Sequence, residues 1–91
     1  MNKGELIATI AGVGGITKMQ AEQALNRVLS RMADAMEKGE RVSLAGFGSF
    51  RVVERAAQKG RNPVTGQSII IPAHNVVKFR AAKVLWNKMQ L

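Results

Sequence analysis

The chain has 91 residues, no cysteine and a formal net charge of +8. Its length predicts a single domain over residues 1–91 that is marginally stable alone, and the missing thiols exclude disulfides and thiolate metal sites. The charge favours a polyanionic partner, nucleic acid or an anionic membrane surface, while no apolar run approaches the roughly 18 residues of a membrane span.

The first 39 residues are predicted to form a helical hairpin, because two amphipathic patterns are separated by the glycine-rich stretch 12–15. Each pattern begins with a polar residue followed three positions later by Glu or Gln, the spacing of a capping box. These pairs are Asn2 with Glu5 and Thr17 with Gln20. Gly39 suits the left-handed residue that follows a helix.

The apolar period changes after Gly39, and alternation predicts three strands within residues 40–54 and 69–80. Ile69–Ile71 is expected to begin the third strand, with Pro72 at an edge or bulge because it cannot donate to a ladder. A C-terminal helix over 81–91, without a side-chain cap, completes an α+β fold. The residues expected in the core or a dimer interface are Leu44, Phe47, Phe50, Phe79, Val28 and Met32.

Residues 55–74 are predicted to protrude as a β-ribbon arm, because they hold too few large apolar residues to line a core. Asn62 and Pro63 suit the first two positions of a type I turn. Gly66 suits a left-handed position that closes a hairpin with a bulge. The tip of the ribbon is therefore a rigid, apolar proline ring.

The excess positive charge of the chain is concentrated in residues 55–91, which include this ribbon. Residues 1–54 carry seven cations and six acids, whereas residues 55–91 carry seven cations and no acid. A cationic ribbon can enter a groove of duplex DNA, and an apolar wedge can insert between base steps and kink the duplex. Many turn prolines serve only the shape of the turn, but the acid-free flanks favour a wedge. The candidate DNA-binding residues here are Arg55, Lys59, Arg61, Asn62, Pro63 and Arg80.

Four segments carry a family resemblance in their order and spacing. They are Met1-Asn2-Lys3, Thr17-Lys18-x-Gln20, Gly46-Phe47-Gly48-Ser49-Phe50 and Gly60-Arg61-Asn62-Pro63-x-Thr65-Gly66. Over essentially its whole length the chain resembles the HU/integration host factor family of bacterial histone-like DNA-bending proteins, and most of all an HU homodimer subunit. The resemblance implies a three-stranded antiparallel sheet and an intertwined dimer whose two arms embrace DNA through the minor groove, with Pro63 intercalating. It also implies phosphate contacts from Lys3, Lys18 and Lys83.

Some positions depart from the family pattern. Relatives often carry a basic residue where this chain has Val53, Gln67 and Ile69, so the returning side of the arm is neutral and is expected to hold DNA less tightly. Trp86 stands where relatives usually have a small or charged residue. Its predicted role is packing, with a contact to flanking DNA as the alternative.

The predicted function is non-enzymatic and architectural. We expect a homodimer in the bacterial cytoplasm and nucleoid that binds and bends double-stranded DNA without sequence specificity and prefers bent, nicked or flexible duplexes. No cofactor, metal, membrane or small-molecule substrate is expected. A metal site is disfavoured because His74 is the only histidine and the chain has no cysteine. The N-terminus has no signal-peptide pattern. Two alternatives remain: a sequence-specific subunit like those of integration host factor, and an RNA-binding protein. For the latter, Gly46–Phe50 only superficially resembles an RNA-recognition strand.

Overall fold

The structure, a computed structural model, describes residues 1–90 and has the predicted α+β architecture. The chain divides into two compact units, Met1–Ala35 and the part from Met36 onward. The elements are α1 (Lys3–Gly14), α2 (Lys18–Glu37), β1 (Val42–Leu44), β2 (Gly48–Arg55), β3 (Gln58–Arg61), β4 (Ser68–Ile71), β5 (His74–Ala81) and α3 (Lys83–Met89).

Local side-chain hydrogen bonds fix where the first two helices begin. The Asn2 carboxamide oxygen accepts the N–H of Glu5 at 2.9 Å, which caps α1. Thr17 and Gln20 form a complete capping box, because each backbone N–H donates to the other side chain, at 3.0 and 3.1 Å. Gly15 ends α1 with a φ of 62°, a conformation that costs glycine little. The capping prediction is therefore confirmed.

The five strands form two separate antiparallel sheets. One sheet has the order β1-β2-β5, and the other contains only β3 and β4. Ile69–Ile71 pairs with β3 in this second sheet, so the prediction that it begins the third strand was wrong; that strand is β5. Pro72 and Ala73 separate the two ladders, consistent with the missing N–H of proline.

The last helix is shorter than predicted. The helix was expected over 81–91, but β5 continues to Ala81 and α3 begins at Lys83. Ala82 precedes it in extended conformation and supplies no side-chain hydrogen bond, as the sequence indicated. Leu91 lies outside the described residues.

Burial within the single chain is slight. Among residues 1–90, only Ala21 and Gly48 are buried, and no large side chain is fully buried. Gly48 is required by close packing, because a Cβ atom there would lie 2.5 Å from the Arg80 carbonyl oxygen and 2.6 Å from Phe79 Cζ. A chain with so little buried apolar surface needs additional burial to be stable.

Candidate nucleic-acid interface

The β-ribbon consists of β3, β4 and the turn between them. Arg61 pairs with Ser68 at the end of the ladder, and the Asn62 N–H donates to the Gln67 carbonyl oxygen at 2.9 Å. The Asn62 side chain accepts the N–H of Val64 at 2.9 Å, an Asx turn that folds the backbone around Pro63. Pro63 thus lies in the tip of the turn.

A backbone hydrogen bond and a left-handed glycine close this turn. The Gly66 N–H donates to the Asn62 carbonyl oxygen at 2.8 Å, and Gly66 has a φ of 72°. The predicted positive φ is therefore confirmed. The tip is open to contact from outside, since Val64 is 90% exposed.

The register of the β-ribbon places different chemistry on its two faces, because directly paired residues of antiparallel strands share a face. Lys59 pairs with Ile70 and Arg61 pairs with Ser68, so both cations lie on one face. Ile69 and Ile71 lie on the other face, beside Gly60. A Cβ atom on Gly60 would lie 3.2 Å from Ile71 Cδ1, so this glycine leaves room for the isoleucine.

The three-stranded sheet also has two unlike faces. Its apolar face carries the pairs Phe50–Phe79 and Val52–Val77 together with Val42 and Leu44. Its opposite face, here called the cationic face, carries Arg51 paired with Lys78, Ser49 paired with Arg80, and Arg55 paired with His74, with the half-buried pair Val53–Val76 between them. None of the strand residues on the cationic face, all of which the structure describes, is acidic.

A recess lies at the Ser49–Arg80 end of this cationic face. Its volume is about 230 Å³, and its lining residues are Arg41, Ser49, Arg51, Lys78, Phe79 and Arg80. Sequence reasoning selected Arg80 but missed Arg41, Arg51 and Lys78 as candidate site residues. The sequence did indicate which face two of these residues occupy. Arg51 and Lys78 each lie between apolar neighbours in an alternating strand, so their side chains had to point away from the apolar face.

The other predicted contacts lie at the starts of helices. Lys3 and Lys18 are the first residues of α1 and α2, and Lys83 is the first residue of α3. All three side chains are exposed. Lys83 belongs to the same compact unit as the β-ribbon and the cationic face, whereas Lys3 and Lys18 belong to the other unit.

The residues predicted for the core or a dimer interface are only partly covered in the single chain. The Phe79 ring centroid lies 4.8 Å from that of Phe50 and 5.5 Å from that of Phe47, so the three rings form a cluster. Phe47 and Phe79 are nevertheless 47% and 42% exposed. Leu44 and Val28 are also exposed, and Phe50 and Met32 are half-buried.

Neither a metal-binding cluster nor a membrane-spanning helix occurs within residues 1–90. No group of three or more His, Cys, Asp and Glu side chains lies close enough to hold a metal ion. No helix in the same range combines the length and apolar character needed to cross a membrane.

The geometry can be compared with known proteins. The family described as bacterial DNA-binding protein matches residues 1–90. DNA-binding protein HU of Geobacillus stearothermophilus is 47% identical over 85 residues, covering 93% of this chain and 94% of the relative. DNA-binding protein HU of Staphylococcus aureus is 48% identical over 85 residues, with the same coverage of 93% and 94%.

A solved structure agrees with these relatives. An Anabaena HU–DNA cocrystal structure superposes with a TM-score of 0.89 at 43% identity, covering 97% of this chain and 96% of the other. The match therefore extends over both compact units and not only over the motif at the ribbon tip. On these grounds the chain belongs to the HU family of bacterial DNA-binding proteins.

Proposed function

We propose that this protein binds double-stranded DNA without sequence specificity and bends it. The observation that carries the proposal is the division of cations between the β-ribbon and the cationic face, with Pro63 at the ribbon tip. Arg and Lys side chains on an acid-free surface bind phosphates, which position a duplex without reading its sequence. Membership of a DNA-binding family supports the same conclusion.

The β-ribbon supplies the bending. Its Lys59 and Arg61 lie on one face and contact the backbone or minor groove, and the Pro63 ring inserts between base steps. Unstacking a step costs on the order of a few kcal/mol, which the added contacts to a bent duplex offset. A nick or mismatch lowers that cost, so flexible duplexes bind more tightly than intact linear ones.

The DNA-binding unit is an intertwined homodimer. The apolar face and Phe47 present exposed aromatic and aliphatic side chains that no element of the single chain covers completely. A second copy offers the same surface and supplies the missing buried area. The dimer brings two β-ribbons to one duplex, and Lys3, Lys18 and Lys83 contact phosphates on the flanks. Such a protein compacts DNA in the bacterial nucleoid and has no catalytic role.

A binding titration at several salt concentrations tests the proposal. The protein is titrated against linear, nicked and prebent duplexes of one sequence, with double-stranded RNA and anionic vesicles as competitors. We expect the nicked and prebent duplexes to bind more tightly and every affinity to fall steeply with salt. A flat salt response, or equal binding of nicked and linear duplexes, contradicts the proposal. If RNA or vesicles displace the DNA at lower concentration than competing duplex does, the preferred polyanion is not duplex DNA.

The same titration contains a residue-level test of the cationic face. The double variant Arg51→Ala/Lys78→Ala should reduce the slope of log affinity against log salt by about 0.9 for each phosphate contact that is lost. Arg27→Ala/Arg31→Ala, which removes two exposed cations from α2, is the control for the same loss of net charge. An unchanged slope in the double variant removes these two residues from the interface. One strong footprint on genomic fragments would instead favour the sequence-specific alternative.

A further inference from the structure

Trp86 is the one aromatic side chain of the described residues that lies outside the phenylalanine cluster. It sits on α3 and is 57% exposed, so the predicted packing role is not fulfilled within the chain. Its ring lines an open groove of about 1030 Å³ between α3 and the end of the three-stranded sheet. We refer to this feature as the Trp86 groove.

All charged side chains that line the Trp86 groove are positive. Arg41, Arg80 and Lys83 line it beside Trp86, and no acidic residue is among its lining residues. The remaining walls come from the turn at 43–46 and from Gly48, Ser49, Phe79, Ala81 and Ala82. An exposed indole ring in a groove that also carries three cations is suited to a ligand that combines a flat aromatic face with negative charge.

The Trp86 groove also continues into the cationic face. Arg41, Ser49, Phe79 and Arg80 line both the groove and the recess of that face. A phosphate backbone lying along the cationic face therefore has a continuous path of cations to the indole ring. This continuity favours a polynucleotide over an isolated nucleotide.

We propose that Trp86 is a stacking platform for an unpaired base of single-stranded nucleic acid, with Arg41, Arg80 and Lys83 holding the adjacent phosphates. The bases of an intact duplex are stacked on each other, so the indole ring can reach the face of a base only where a strand is unpaired or ends. The site rests on the proposed function and deepens it, because it shares Arg80 and Lys83 with the duplex interface and adds a base contact at Trp86. DNA and RNA strands share the required base and phosphate chemistry.

Intrinsic fluorescence provides a direct test. The chain has one tryptophan and no tyrosine, so the emission of the intact protein comes from Trp86 alone. Titration with oligothymidylate and with oligouridylate should quench this emission saturably, and added salt should reverse the quenching. Comparison of the two oligonucleotides shows whether the groove prefers DNA or RNA. Emission that neither oligonucleotide changes overturns the proposal.

Three variants, measured as full-length protein by anisotropy, complete the test. Trp86→Leu should weaken single-strand binding by roughly 10-fold or more, the loss expected for one stacked base, whereas Trp86→Phe should retain most of it. Val84→Ala is the matched control, because Val84 is a 62% exposed apolar residue of α3 that does not line the groove. All three should bind an intact linear duplex, longer than the binding site, like the parent.

Light scattering of the same variants separates stacking from a role in assembly. If Trp86→Leu is monomeric or unfolded where the parent is a dimer, then Trp86 is covered by the second copy and the stacking proposal is wrong. If Trp86→Leu weakens single-strand and intact-duplex binding equally, Trp86 does not discriminate unpaired bases and the stacking proposal is wrong. Failure of the parent to bind any duplex would instead count against the proposed function.

Discussion

The β-ribbon and the three-stranded sheet are built from the same two stretches of chain, yet their surfaces differ. β2 continues into β3 after Ala56 and Ala57, and β4 continues into β5 after Pro72 and Ala73. The sheet separates an apolar face from a cationic one, whereas the β-ribbon has neither a third strand nor a core. The apolar face of the sheet is therefore left incompletely covered by the single chain, whereas the β-ribbon is held by its own two-stranded ladder and turn.

Loss of the Phe79 ring should have the largest effect on the stability of the three-stranded sheet. Phe79→Ala removes the ring that contacts both Phe47 and Phe50, and it should cost about 3–5 kcal/mol of unfolding free energy if a second copy covers the apolar face. Urea denaturation at several protein concentrations measures the loss, and the parent midpoint should rise with concentration. A loss below about 1 kcal/mol together with a concentration-independent midpoint would mean that the face stays exposed.

The close packing around Gly48 gives the second-largest expected effect on the free energy of unfolding. Gly48→Ala places a methyl group against the Arg80 carbonyl oxygen and the Phe79 ring, and should cost about 1–3 kcal/mol. Gly12→Ala is its control, because a Cβ atom at Gly12 meets nothing within 4 Å and alanine favours the helix by up to about 1 kcal/mol. Equal effects of the two changes in urea denaturation would contradict the close approach at Gly48.

A change in the turn should act on the β-ribbon alone. Gly66→Ala forces a Cβ atom into a φ of 72°, at a cost of about 1–2 kcal/mol to the turn. Because the turn is local, we expect faster amide exchange at Asn62 and Gly66 and weaker DNA binding, with little change in global unfolding. A global loss as large as that of Gly48→Ala would show that the β-ribbon and sheet unfold as one unit.

The neutral returning strand gives the smallest expected effect. Ile69→Lys adds a cation to β4 and should raise duplex affinity at low salt, with the salt slope steeper by about 0.9 per new phosphate contact. Val13→Lys adds the same charge on α1, where Val13 is 87% exposed, and controls for net charge. Equal gains in duplex affinity from the two variants would mean that the added charge acts wherever it lies and that residue 69 does not contact a phosphate.

Local chemistry explains which parts of the fold could be predicted from the sequence. The helix starts at Asn2 and Thr17 and the left-handed Gly66 depend on residues within a few positions, and all three were predictable. The partner of Ile69–Ile71 was not, because an apolar run carries no information about which strand it joins. The cationic face was missed for a related reason: Arg51 and Lys78 meet only through the register of β2 and β5.

Bending of a duplex with a central nick, measured by energy transfer between its labelled ends, tests the central claim most directly. At saturating protein, Pro63→Ala should reduce the bend while retaining most of the salt-dependent affinity, with Val64→Ala as the neighbouring control. Arg51→Ala/Lys78→Ala should do the reverse, lowering the affinity and its salt slope but leaving the bend of the bound duplex unchanged. Parallel loss of bend and affinity in both variants would contradict the division of roles between the β-ribbon and the cationic face.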